Sequence, residues 1–418
     1  MSGFLGRAQR APEQQEVEPI PMLRRRARPG AEPTAVMPLQ IDCPDPTAED
    51  ALRDSYIDRA QFFARQERWD ELAKLIRTAD KSREATPGSM PIAELYAYGA
   101  RADVIGAAEH ALIGGKPAKD APILDGIEAL EEVLQEHSDD YIIAAVVAQA
   151  HMDIGWAWRG TGWDTEVPEY NRAVFEAHFD RARDILNSFC CIDQDSPLLA
   201  AASCALLGGQ NPGDRSVTER YQALIDLNPA NPRSLRAFGT HLLPRWYGDY
   251  ETLELEARRT ALRTADTWGA GGYTWVQFDA ISCDEQALAN LDIEFFIEGL
   301  HDILERGTDP HTVNLLAAFC AYAGSKHQSG NDQTDQNRTL IGQCAGWIVR
   351  EHLTELHPMI WAHAARGFDN NLRVFSPDRF AASGREDAIR IITSLFRREI
   401  EAGKRIVFTE EGPQALSA

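Results

Sequence analysis

The chain is predicted to be all-α and built of stacked helix pairs, on three observations. Apolar residues recur at three- and four-residue spacing from about residue 50 to about residue 400. Strand–helix alternation is absent, which argues against a doubly wound nucleotide fold. Proline-bearing turns break the pattern, and a new apolar stripe restarts behind each, leaving every helix pair with a face that only its neighbours can bury. A compact, irregular all-α domain is the other arrangement this pattern allows.

The elements follow in order. Residues 1–48 carry many prolines and no sustained periodicity, and are read as a disordered tail. Tyr56, Ala60, Phe63 and Ala64 form the first stripe, and Trp69, Leu72, Ala73 and Ile76 the second, joined by a short turn that makes them antiparallel. Pro/Gly-rich breaks at 86–91 and 114–122 separate a helix rich in alanine from one carrying Ile123, Ile127, Leu130 and Leu134. Next come a helix from about Asp140 to Trp158, a stripe of Phe175, His178, Ala182, Ile185 and Phe189, and a helix opened by Ser196 and Pro197 as cap and first residue. Tyr221, Leu224 and Ile225 lead to a Leu-Asn-Pro turn, followed by helices at Leu235–Leu243, Tyr250–Thr264 and Tyr273–Ile281. The cleanest amphipathic stripe is Ile293, Phe296, Ile297, Leu300, Ile303 and Leu304. Thr308-Asp309-Pro310 opens a helix through Ala323, a polar loop precedes Leu340–Leu356, and a break at 367–377 precedes a last helix near Glu386–Glu401. Lys404–Thr409 alone has strand character. The domains expected are therefore the tail (1–48), the repeat array (49–325) and a C-terminal helical region (326–418).

Composition narrows the partners. No apolar run approaches the roughly 20 residues that span a bilayer, so no transmembrane segment is expected. The first residues lack a signal-peptide core, and the seven cysteines are odd in number with Cys190 and Cys191 adjacent. Both features point to a cytoplasmic protein with reduced thiols. A net charge of −22 argues against duplex nucleic acid, whose phosphates must be met by Lys and Arg. Arg24, Arg25, Arg26 and Arg28 are a local exception, read as part of the solvated tail or as a docking arm for an acidic partner or membrane surface.

One junction is more specific than the rest. Ala223–Asn231 reads ALIDLNPAN, and an apolar pattern restarts at Ser234. Pro229 and Pro232 cannot sit inside a helix and push Asn228 and Asn231 out of helical geometry, while Pro232 suits the first turn of the next helix. Phe238, Gly239 and Leu242 follow, then Gly248, Asp249, Tyr250 and Glu251, which look like the packing positions and the Gly-x-Tyr-Glu turn of a known helical repeat. This stretch resembles the junction between tetratricopeptide-type repeats. The resemblance extends over about 50–325, with Ala60, Phe63, Trp69 and Leu72 near a unit's packing positions, Glu67 in place of its turn glycine, and Leu253 in place of a small residue. The segment PRWYGDYE is also similar to one in bacterial helical-repeat domains of unknown function. The resemblance implies an α-α superhelix, a TPR-like solenoid, that binds a protein or peptide through a groove. It carries no catalytic residue.

Local chemistry is sparse. No phosphate loop, nucleophile elbow or His-Glu-x-x-His occurs, so no cofactor and no catalytic residue is assigned. Gly269, Gly271 and Gly272 do not follow a strand and read as an interhelical turn. His352, Glu355, His357 and His363 are the nearest approach to a metal set, but His352 and His357 lie roughly 140° apart around a helix, so no metal is assigned. His178, on an apolar stripe, reads as a core histidine. Asp139, Asp140, Asp193 and Asp195 read as caps at helix N-termini.

Two turns stand out by composition. Trp156, Trp158, Arg159 and Trp163 crowd one, and Arg245, Trp246, Tyr247 and Tyr250 crowd another. Both join the two helices of a pair, so both should emerge along the same edge. Trp, Tyr and Arg are enriched in interface hot spots, which makes these eight residues a candidate recognition edge. The other reading of these residues is as aromatic plugs seating the longer loops on the core, with Arg stacked for packing. The function expected is a non-enzymatic protein-interaction scaffold or adaptor. The alternative is an all-α hydrolase or metal-dependent enzyme with a site assembled from dispersed residues.

Overall fold

A computed structural model describes residues 38–417 apart from 114, 115, 118–120, 122, 163, 211–215, 308, 325–327, 368–373 and 375. The described residues contain nineteen α-helices and one small sheet, so the chain is all-α. Local chemistry sets most helix starts. Thr47 and Asp50 exchange bonds as a capping box before α1 (Ala48–Arg65). A tight turn at Glu67 leads to α2 (Trp69–Ser82), and α3 (Ile92–Ala111) and α4 (Asp125–Glu136) follow. Asp140 caps α5 (Tyr141–Arg159), which pairs with α6 (Glu169–Leu186). Ser196 and Pro197 open α7 (Pro197–Ala205) as the sequence predicts. Asp195 does not cap it, and pairs with Arg83 instead.

A second capping box, Ser216 with Glu219, starts α8 (Val217–Leu227). Asn231 caps α9 (Pro232–His241), with Pro232 in its first turn, and Asp249 caps α10 (Tyr250–Arg263). A one-turn α11 (Ala265–Trp268) precedes α12 (Gly271–Cys283). Gly239 lets α9 and α12 cross closely, since a Cβ there would lie 1.8 Å from the Val276 carbonyl oxygen. Then come α13 (Glu285–Asn290), α14 (Ile293–Arg306) and α15 (Pro310–Ala323), the last capped by Asp309. The chain continues through α16 (Asp332–Glu351), α17 (Pro358–Ala365), α18 (Pro377–Leu395) and α19 (Arg397–Glu401). Helices α5 and α12 are buried along nearly their whole length, whereas α2, α4 and α14 bury one stripe each.

Three sequence expectations need correction. The tail does not run to 48: β1 (Leu39–Gln40) pairs in parallel with β2 (Lys404–Thr409), Leu39 opposite Ile406, and both side chains are buried. The Arg24–Arg28 cluster lies outside the described residues. Strand β2 has a second partner, β3 (Gly412–Ser417), antiparallel across a hairpin that proline and small residues concealed. Helix α16 begins at Asp332 rather than Leu340, because its polar first turns are bonded inward. Asn331 accepts from the amides of Gln333 and Thr334, Thr334 donates to the Glu285 carbonyl, and Asn337 donates to that of Leu288.

Helices pack largely on neighbours in sequence, as in an array, yet the first and last elements also meet. Besides β1 on β2, the Leu356 amide donates to the Asp42 carbonyl at 2.8 Å, and Arg53 on α1 lies 3.5 Å from His311 on α15. Residues beyond 326 continue this packing through α16 on α13, α14 and α15. No helix of the described residues is long and apolar enough to cross a membrane.

Candidate functional site

The two aromatic turns converge on a third element, the short turn Leu206–Gln210 that follows α7. From one side comes Trp156, at the end of α5, whose ring lies edge-on to Phe175 and Phe179 of α6 at 5.0 and 5.8 Å. Gly208 makes room for it, since a Cβ there would stand 2.9 Å from the indole. From the other side comes Tyr247, whose hydroxyl lies 2.6 Å from the Leu207 carbonyl oxygen and 2.9 Å from that of Gln210. Trp246, next to it, packs on His241 at 5.4 Å, and the Tyr221 hydroxyl lies 3.0 Å from the His241 Nδ1. Both aromatic turns thus contact the same short turn, 206–210.

The eight candidate residues divide by burial. Trp246 is 40% exposed and Trp156 38%, and Arg245 is exposed beside Trp246. The Arg159 guanidinium sits 5.7 Å from the Trp156 ring and donates to the carbonyls of Gly160 and Gly162, which fixes the turn. Trp158 does not belong to the exposed edge. It is 5% exposed, packed in the core, and its carbonyl is held by Asn171. The physical reason is helical geometry: residues two apart point about 200° apart, so Trp156 facing out turns Trp158 in. Tyr250 is half-buried and donates toward the Asp284 carboxylate at 3.2 Å, which ties α10 to α13. Trp163 lies outside the described residues.

The 206–210 turn also lines a large groove of about 1040 Å³ between α6, α7 and α8, through Leu206, Leu207 and Gln210. Its polar walls carry Asp180, Arg183 and Arg220. Gln210 donates to Asp180 at 2.8 Å, and Arg183 pairs with the same carboxylate at 2.8 Å.

The histidines take other roles. His178 is a core histidine, as expected, and its Nδ1 lies 2.9 Å from the Nδ1 of His151, a partner the sequence did not reveal. The other nitrogen of His151 meets Glu131 at 2.8 Å, and Arg181 grips that carboxylate with two bonds. With both rings neutral, the proton assignment that satisfies all partners has His178 donating to His151 and His151 donating to Glu131. Burial, reinforced by His151, pushes the His178 pKa down to about 4. His352 packs on Trp347, His363 on Phe380, and His357 bonds Glu355 at 2.8 Å, so these four do not converge. No group of three or more metal-ligating side chains gathers among the described residues. In comparisons with known proteins, the chain matches no family model, no curated protein and no solved structure.

Proposed function

We propose that this chain is a non-enzymatic interaction scaffold, related to tetratricopeptide-like helical-repeat proteins, that takes a protein or peptide partner at the edge formed by Trp156, Arg159, Arg245, Trp246 and Tyr247. The observation that carries the reading is the exposure of Trp246, 40%, on a turn fixed from below by Tyr247. A large indole held in place in the unbound protein loses little conformational entropy on binding, which is what a hot-spot anchor requires. Trp156, similarly exposed and flanked by Arg159, supplies a second anchor. The net charge of −22 supports a partner other than duplex nucleic acid. Seven free cysteines support a reducing, cytoplasmic setting. Affinity capture from the native host with the wild-type chain and with Trp246→Ala tests the reading. A partner retained by the first and lost by the second is expected, and equal capture by both would overturn it.

A further inference from the structure

A second concavity lies on another part of the fold. It has a volume of about 380 Å³ and is walled by α1, α3, α5 and the start of α9. Two of its lining side chains carry polar atoms that are buried and without a partner: Nη1 of Arg101 and Oε1 of Gln149. Arg101 is 92% buried, being 8% exposed, and its Nε donates to Asp153 at 2.7 Å. Gln149 and Asp153 are one helical turn apart on α5 and share the face against which Arg101 lies. Buried donors and acceptors are otherwise almost always paired, so an unmet donor and an unmet acceptor on two residues that line one cleft point to a ligand that supplies both.

Charge decides the class of that ligand. Each guanidinium of the cleft already has its own carboxylate: Arg53 with Glu49 at 2.6 Å, Arg101 with Asp153 at 2.7 Å, and Arg233 with Glu94 at 2.7 Å. Asp50 and Asp54 line the same cleft beyond these pairs, Asp54 exposed at the rim. Counted with the partner carboxylates Glu49 and Asp153, the charged groups around the cleft are net acidic, and a free carboxylate or phosphate would enter against like charge. A neutral group with one acceptor and one donor fits the unmet pair, and a peptide unit is such a group. We propose that this cleft binds an extended basic peptide: a main-chain carbonyl accepts from Arg101 Nη1, a main-chain N–H donates to Gln149 Oε1, and a Lys or Arg side chain reaches Asp54. Tyr98, 44% exposed beside Arg101, adds a flat apolar wall for the strand.

The test uses the full chain and a fluorescein-labelled, N-acetylated, C-amidated heptapeptide of alternating alanine and lysine, read by fluorescence anisotropy. Saturable binding is expected, and the matching alanine–glutamate peptide should not bind. Gln149→Met keeps the side-chain length, removes the unpartnered Oε1 acceptor together with the Nε2 donor, and should weaken binding about tenfold. Asp54→Asn, at an exposed position, should weaken it about threefold. Both variants should melt as the wild type does. Trp246→Ala should bind this peptide normally, which separates the cleft from the aromatic edge. Absence of saturable binding up to about 1 mM, equal binding of the acidic peptide, competition by inorganic phosphate, or wild-type affinity in Gln149→Met would each overturn the proposal.

Discussion

Asn314 ties α15 to the 355–361 segment, and its removal should be among the most damaging single changes. The residue is fully buried on α15. Its Nδ2 donates to the carbonyls of Pro310, at 2.8 Å, and Glu355, at 2.9 Å. Its Oδ1 accepts from the His357 amide at 2.9 Å and from the Trp361 indole at 3.0 Å. Asn314→Ala strands the three partners outside α15, each a polar group worth about 1–3 kcal/mol when buried and unmet. One water entering the vacated space would recover part of this. The expected loss is about 3–5 kcal/mol, a large share of the 5–15 kcal/mol typical of a folded protein. Urea unfolding followed by circular dichroism measures it directly. Asn314→Asp retains both acceptor bonds but loses the donors and turns a charge toward two carbonyls, so it should be no more stable than the alanine variant. A loss below about 1 kcal/mol in either variant would refute the reasoning.

Further predictions concern pH, the N-terminal boundary and the inward tryptophan. Because the His178 pKa falls from 6.5 to about 4 on folding, its contribution is complete above pH 6.5 and is lost as pH falls toward 4. That loss amounts to about 3 kcal/mol in the wild type and should be absent from His178→Asn, with unfolding free energy measured between pH 7 and pH 4. A chain beginning at Asp50 loses the Thr47 cap and the buried Leu39, and should be about 3 kcal/mol less stable than one beginning at Pro38. Equal melting temperatures of the two would show that β1 contributes nothing. Trp158→Ala should cost about 3–5 kcal/mol in denaturant unfolding, as expected for emptying a core site.

Helices were legible wherever an apolar run met a capping residue, as at Asp140, Ser196, Asn231 and Asp309. They were misjudged where polar side chains face inward. Thr334 and Asn337 are fully buried because they bond carbonyls of the 285–288 segment, and no periodicity rule anticipates a partner some fifty positions away. Strand β1 is two residues long and exists only through β2, so it left no local trace. The aromatic turns were visible by composition, and the opposite fates of Trp156 and Trp158 follow from their spacing alone. Their meeting at Leu206–Gln210 was not visible, since it depends on how three helix pairs stack. Arg101 and Gln149 carried no signal, being ordinary residues of two separate helices until the fold leaves one atom of each unpartnered.

The central claim is that Trp246 serves a partner rather than the core. It is tested by measuring two quantities on Trp246→Ala: its melting temperature and its affinity for the protein captured by the wild-type chain. An unchanged melting temperature and an affinity loss of at least about 2 kcal/mol, roughly thirtyfold, are expected. A strongly lowered melting temperature, with the remaining folded protein binding normally, would contradict it.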